Sequence, residues 1–240
     1  VSALGENVPA FSLAFSRLGR DESIAAARFC QAIGFPHHVV EFDQDDAPHF
    51  PKQLLKLFHE PFGDMSAFPT SQVVAASSKH VKVLLSGDGG DELLGGYKWH
   101  AEFEQIMSLR AGGRAWKRAM RAGSTELHEK KKLLANLRDP VEIYVRLRKG
   151  LADDRSCYWQ DRLGIDREYD PYWAYRLHYR EDLPSGLAAR LVDFKTYLAD
   201  DILVKLDRVT MACGVEGRPP LLGGAVVDFV LAKIWPHARN

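Results

Sequence analysis

Ser86-Gly87-Asp88-Gly89-Gly90-Asp91-Glu92-Leu93-Leu94-Gly95-Gly96-Tyr97 is the stretch on which the reading of this chain turns. It follows Val81-Lys82-Val83-Leu84-Leu85, an apolar run that reads as a buried strand bounded by a turn. Glycines permit positive φ and let a ligand approach the main chain. A glycine-rich turn at the end of a core strand is also where open α/β sheets bind ligands. The aspartates and the glutamate set this loop apart from an ordinary anion cradle, because carboxylates repel phosphate. A nucleotide bound here requires a divalent cation between the two sets of charges.

The rest of the chain bounds the class. Its 240 residues suffice for one large domain or two small ones, and 46% hydrophobic with 27% charged content is ordinary for a soluble globular protein. Thirty-two basic and 32 acidic side chains cancel, so no overall field favours nucleic acid or an anionic membrane. Cys30, Cys157 and Cys213 lie far apart with no CxxC pair, which argues against a disulfide framework or zinc site and fits a reducing cytoplasm. No apolar run approaches the roughly 20 residues that span a bilayer. The chain opens at Val1 without a methionine and ends soon after an apolar segment, so it reads as a fragment.

Strand-like and helix-like patterns alternate over the first hundred residues, which argues for parallel βαβ units. Pro9 to Phe15 reads as a strand. A helix follows, with Asp21 as its cap, Ala26, Phe29, Cys30 and Ile33 on one face, and Gly34 at its end. His38 to Phe42 reads as a second strand, and Pro48 to Phe58 and Ser71 to Ser78 as helices, the last with Thr70 as cap. From about residue 101 the chain turns helical and basic, over Ala101 to Arg121, Ser124 to Lys149 and later Leu187 to Ala199. The basic stretch Arg110 to Lys132 suits a solvated helix face better than a nucleic-acid patch, given the neutral overall charge.

The Asp88 loop is not a P-loop, since no Lys-Ser/Thr pair follows its glycines, and it does not complete GxGxxG or an EF-hand. A turn whose acids merely favour the next helix N-terminus remains open at this level. Three other groups also keep two readings. His37 and His38 suit surface or core positions better than a metal, for want of a partner at ligand spacing. Asp64, Ser66, Pro69 and Thr70 either line a pocket or cap a helix, and Asp200, Asp201, Lys205, Asp207 and Arg208 form either an ion-pair network or a carboxylate site.

Taken together, four blocks in order resemble the synthetase domain of glutamine-hydrolysing asparagine synthetases. They are Phe11 to Phe15 with Asp21-Glu22-Ser23, then Glu60 to Thr70, then Val83 to Tyr97, and finally Asp200 to Ala212 with Glu216, Arg218 and Pro220. The resemblance covers most of the chain. It implies an α/β fold with a parallel sheet, of the adenine-nucleotide hydrolase-like (ATP-pyrophosphatase) type, followed by a helical region and incomplete at both ends. Residues 1–100 would form the ATP-binding part and 101–240 the helical part of one synthetase domain. The implied reaction is attack of the aspartate side-chain carboxylate on the α-phosphate of ATP, giving β-aspartyl-AMP and pyrophosphate. Ammonia from a glutaminase domain outside this chain then yields asparagine.

Carried over by position, Leu13 would meet adenine through its strand, and Ser86 and Gly87 would touch the nucleotide. Asp91 would bind Mg²⁺, and Asp88 would stand where the family places a carboxylate that assists attack on the intermediate. A carboxylate there can accept a proton from incoming ammonium, and Mg²⁺ offsets charge on the departing pyrophosphate. The implied setting is cytoplasmic, without nucleic acid or membrane, and compatible with a homodimer of the full-length parent.

Some features depart from the family. Its Ser-Gly-Gly-x-Asp-Ser pyrophosphate loop and its distal lysine lie outside these 240 residues, as does the glutaminase domain with its N-terminal cysteine, so the isolated chain is expected to be inactive. Gly223 stands where the family usually has aspartate, and Asp88 is often glutamate. Two alternatives stay open: a relative that adenylates another carboxylate, as β-lactam synthetases and peptide cyclases do, and a non-catalytic remnant of the domain.

Overall fold

A computed structural model describes residues 8–15, 21–43, 45, 47–111, 137–149, 161–166 and 168–237. They divide between two compact units, one drawn from residues 1–86 and 201–220 and the other from 87–200 and 221–240. Most of the basic stretch from Arg110 to Lys132, and Cys157, lie outside the described residues. Among those residues no helix is long and apolar enough to cross a membrane.

The first unit opens with β1 (Ala10–Ala14), α1 (Ser23–Ile33) and β2 (His37–Glu41). The two strands pair in parallel, Ala10 opposite His37 through Ala14 opposite Glu41, as a βαβ connection requires. Asp21, expected as the cap, stands one residue before it: the N-cap is Glu22, with no side-chain cap bond, and Asp21 Oδ1 accepts the Ser23 N–H at 2.9 Å in the turn that leads into the helix. Gly34 ends it with φ 74°, the left-handed cap that glycine adopts without penalty. Cys30 is buried, but Phe29, expected on the inward face, is 65% exposed.

α2 (Phe50–Phe58), α3 (Ala67–Ser77) and α9 (Leu203–Ala212) build the rest of this core, with Phe50, Phe58, Phe68, Val74 and Val209 packed together. Burying an aromatic or branched side chain of this size contributes about 1.5–3 kcal/mol. α3 begins four residues before the expected Ser71, so Thr70 is no cap. It sits inside the helix, and its Oγ1 donates back to the Ser66 carbonyl at 2.8 Å.

β3 (Val83–Leu85) pairs in parallel with β4 (Glu216–Arg218), Leu84 lying opposite Gly217. The expected buried strand is therefore covered on one face only. Leu84 packs into the core, while Val83 and Leu85 are 40% and 56% exposed. Gly217 is needed where it stands, because a Cβ there would lie 2.9 Å from Leu206 Cγ on α9.

The second unit is helical. Its described α-helices are α4 (Gly90–Leu94), α5 (Lys98–Ala111), α6 (Pro140–Lys149), α7 (Trp173–His178), α8 (Ser185–Lys195) and α10 (Gly224–Phe229). Phe103 and Ile106 of α5, Ile143, Tyr144 and Leu147 of α6, and Ala189 and Val192 of α8 form one core cluster. Leu93, Leu187, Val230 and Trp235 form another. The helix expected over Leu187 to Ala199 starts at Ser185 and stops at Lys195. Thr196 turns its hydroxyl onto the Val192 carbonyl at 2.8 Å, and a π-helical turn follows over Leu198–Ile202.

Candidate functional site

The chain leaves β3 at Ser86, whose N–H donates to the Arg218 carbonyl at 3.0 Å. The Ser86 hydroxyl is buried and has no hydrogen-bond partner among the described residues. An orphaned buried hydroxyl needs a reason, and a ligand contact is one. The turn closes when the Gly90 N–H donates to the Gly87 carbonyl at 3.2 Å. Gly89 takes φ 86°, and a Cβ there would meet Leu222 Cγ at 2.7 Å, so both backbone and neighbour demand glycine. Asp88 is half-buried on the turn, and Asp91 is exposed in the first turn of α4.

Behind this loop α4 is tied down along its length. Its last turn closes at Gly95, whose N–H reaches the Asp91 carbonyl at 2.7 Å with φ 81°. The Leu93 carbonyl accepts from Trp235 Nε1 at 2.9 Å. Glu92 points inward, 1% exposed, and accepts from the Tyr97 hydroxyl at 2.9 Å. Burial pushes its carboxyl above the usual range, with the Asp193 and Asp91 charges adding to the shift. Inward Glu92 and outward Asp91 are adjacent residues with opposite tasks, one structural and one available to solvent.

That availability fits a Mg²⁺ ion bound with substrate. Magnesium keeps several waters and takes one or two carboxylates together with phosphate oxygens. Asp91 offers such a carboxylate, and neither it nor Asp88 forms an ion pair with a described residue. No group of three or more His, Cys, Asp or Glu side chains among the described residues could hold a metal through the protein alone.

Leu13 belongs to the other unit. It is half-buried on β1 and lines a cavity of about 610 Å³ with Ser12, Phe15, Glu22 and Ser23, where the strand ends and α1 begins. Of the expected site residues, Gly87, Asp88 and Asp91 therefore share one turn and its helix, Ser86 directly precedes them, and Leu13 sits in a cavity of its own unit.

Groups left with two readings now have partners. Asp64 Oδ1 accepts the Ser66 N–H at 2.8 Å, and its Oδ2 accepts from Lys205 Nζ at 2.7 Å, so the ion-pair reading of Lys205 is the one realised. Burial raises the Asp64 carboxyl, but the hydrogen bonds of Lys205 and Ser66 and the lysine charge outweigh it and hold the group below the usual range. His37 Nε2 lies 2.9 Å from Ser12 Oγ, and His38 stacks with both Phe11 and His80, ring centroids at 5.1 and 5.0 Å, while those two rings lie 5.8 Å from each other.

The second unit also holds a polar centre that the sequence did not disclose. Asp193 on α8 is fully buried and accepts from His100 Nε2 at 2.8 Å, Trp99 Nε1 at 3.0 Å and Arg148 Nη1 at 3.3 Å. Burial again works against the charge, and these donors together hold the carboxyl below its usual range. Nothing local marks the set, because Asp193 and Trp99 stand 94 positions apart.

The geometry so far is a glycine loop carrying two available carboxylates after a parallel strand, with a cavity at the end of another. Comparison with known proteins points the same way. The family model for asparagine synthase matches residues 2–237. The chain is 29% identical over 233 residues to a putative asparagine synthetase (glutamine-hydrolyzing) of Mycobacterium bovis, covering 94% of this chain and 35% of that protein. It is 34% identical over 185 residues to putative asparagine synthetase (glutamine-hydrolyzing) 2 of Methanocaldococcus jannaschii, covering 73% and 34% respectively. To asparagine synthetase (glutamine-hydrolyzing) 1 of Bacillus subtilis it is 28% identical over 236 residues, covering 93% and 36%. The chain thus spans about a third of the length of these relatives. On the strength of a match over nearly its whole length, this chain belongs to the asparagine synthase family.

Proposed function

We propose that this chain is the ATP-binding and carboxylate-activating part of a glutamine-dependent asparagine synthetase, with an ATP-pyrophosphatase-type fold. Residues 1–100 supply the nucleotide-binding portion and 101–240 the helical portion of one synthetase domain. The β-carboxylate of aspartate attacks the α-phosphorus of ATP, pyrophosphate leaves, and ammonia then displaces AMP from the acyl-adenylate to give asparagine. The ammonia is delivered by a glutaminase domain outside this chain, in the cytoplasm.

Each residue has a task in that scheme. Leu13 and the β1 cavity take the adenine, where open α/β sheets receive their ligands. The unpartnered Ser86 hydroxyl and the Gly87 backbone meet the nucleotide. Asp91 holds Mg²⁺, which when bound neutralises charge on the leaving pyrophosphate. Asp88, half-buried on the turn, accepts the proton that incoming ammonium loses before the freed ammonia attacks.

The observation that carries the reading is the loop itself, in which a buried hydroxyl without a partner is followed within five positions by two carboxylates that no described cation neutralises. The test is ATP–pyrophosphate exchange by the full-length protein, run with aspartate and with a panel of other carboxylates. Aspartate-dependent exchange, lost in Asp91→Ala, is the expected outcome. Exchange driven by another carboxylate would instead make the protein a relative of β-lactam synthetases or peptide cyclases. No exchange with any carboxylate would mark a non-catalytic remnant.

A further inference from the structure

We propose that Gly96 is a positioning residue for the Asp91 carboxylate, a role that rests on reading Asp91 as the Mg²⁺ ligand. Two glycines follow α4, and they are glycine for different reasons. Gly95 has φ 81°, a backbone conformation that side chains resist, and a Cβ there would also meet Arg190 Nη1 at 3.3 Å. Gly96 is not among the residues with positive φ, so its backbone accommodates alanine.

What alanine would meet at Gly96 is Asp91. A Cβ there would fall onto Asp91 Oδ1, with Asp91 Cγ at 2.9 Å. The carboxylate occupies the room that the missing methyl leaves. The chain is folded back to create that contact. The Asp91 carbonyl accepts from both the Gly95 N–H, at 2.7 Å, and the Gly96 N–H, at 3.1 Å. One residue further on, the Tyr97 hydroxyl bonds to Glu92, so the reversal is pinned on both sides of Gly96.

Asp91 is exposed and its side chain is short, so an added methyl displaces the carboxylate into another rotamer rather than breaking the helix. Magnesium tolerates such displacement poorly, since it demands near-ideal octahedral geometry with ligands at about 2.0–2.1 Å. Groups that orient a metal ligand typically change metal affinity by roughly 10–100-fold when altered. Gly224 is a matched control in the same unit, with open space around its Cβ position and no positive φ.

The experiment measures Mn²⁺ affinity by electron paramagnetic resonance on the full-length protein with a non-hydrolysable ATP analogue. The variants are Asp91→Ala, Gly96→Ala, the double variant and Gly224→Ala, and melting is followed in parallel. Gly96→Ala is expected to weaken Mn²⁺ binding at least tenfold, Gly224→Ala to leave it unchanged, and the double variant to bind no worse than Asp91→Ala. Wild-type affinity in a folded Gly96→Ala protein, beside weakened Asp91→Ala, would overturn the proposal and leave the metal reading standing. Losses that add in the double variant would also overturn it, because Gly96 would then act other than through Asp91. Unchanged affinity in Asp91→Ala, or no binding by the wild type, would remove the metal reading and the proposal with it. Should Gly96→Ala fail to fold, the double variant must fold, since it lacks the carboxylate that the methyl strikes; an unfolded double variant refutes the clash.

Discussion

Asp193 and Asp64 are both drawn below the usual carboxylate range, one in each unit, and they are held differently. Asp193 is fully buried and receives donors from two other helices: Trp99 and His100 on α5, and Arg148 on α6. Arg148 is itself stacked over Tyr197, 4.5 Å from the ring centroid. Asp64 lies half-buried in a loop, where buried Lys205 and the neighbouring Ser66 account for its partners. The first arrangement fixes three helices at one point inside an apolar core. The second fastens a loop to α9, and with it the start of α3. A fully buried carboxylate with donors from two other helices specifies packing, whereas a largely enclosed pair between a loop and one helix specifies a local attachment.

The contrast sets an order of effects. Asp193→Ala leaves buried His100 and half-buried Arg148 without this acceptor, and it should lower stability by about 3–5 kcal/mol, read from urea midpoints. Lys205→Met should lower it by about 1–3 kcal/mol, since Asp64 keeps its Ser66 bonds and some contact with water. This second loss depends on pH. The folded carboxyl of Asp64 lies below its unfolded value of about 3.9, so its stabilisation is fully present above that value and disappears as pH falls through the folded one. Wild type and Lys205→Met should therefore differ at neutral pH and converge below about pH 4. Equal losses in the two variants would erase the distinction between the sites.

Smaller effects sharpen it. The raised carboxyl of Glu92 means that the folded state holds this proton more tightly than the unfolded chain does. Its stability contribution is therefore greatest in acid and declines as pH rises through the folded value. Glu92→Gln keeps an acceptor for Tyr97 and removes the repulsion with Asp193, so it should stabilise the protein at pH 7 by up to about 1 kcal/mol and by nothing in acid. Val83→Thr, on the uncovered face of β3, should shift stability by no more than about 0.5 kcal/mol.

The same contrast separates what the sequence discloses from what it hides. β1, α1 and β2 are marked by local signals (alternating apolar residues, an aspartate before the helix, a glycine after it), and the structure matches them to within a residue or so at the strands. The Asp88 turn was legible because its glycines answer local backbone demands. β4 was not, since Glu216-Gly217-Arg218 has no strand-forming residue and is a strand only because Leu84 lies opposite a glycine that fits against α9. Thr70 misled because its hydroxyl serves a helix interior as readily as a cap. Phe29 misled because periodicity marks a face without saying how wide it is. Asp193 and Gly96 were hidden for one reason: what each side chain or missing side chain meets depends on the folded chain rather than on its neighbours in sequence.

The bond from Trp235 to the Leu93 carbonyl closes a loop of 142 residues. On the ribosome, at roughly 5–20 residues per second, Trp235 is added about 7–30 s after the helix it steadies. The helix that carries Asp91 is thus synthesised early and fastened late. In that interval the nascent chain already presents its acidic loop while Leu93, buried in the finished fold, has not yet received Trp235. The helix therefore gains this polar partner only once residue 235 has been made, through a single indole N–H.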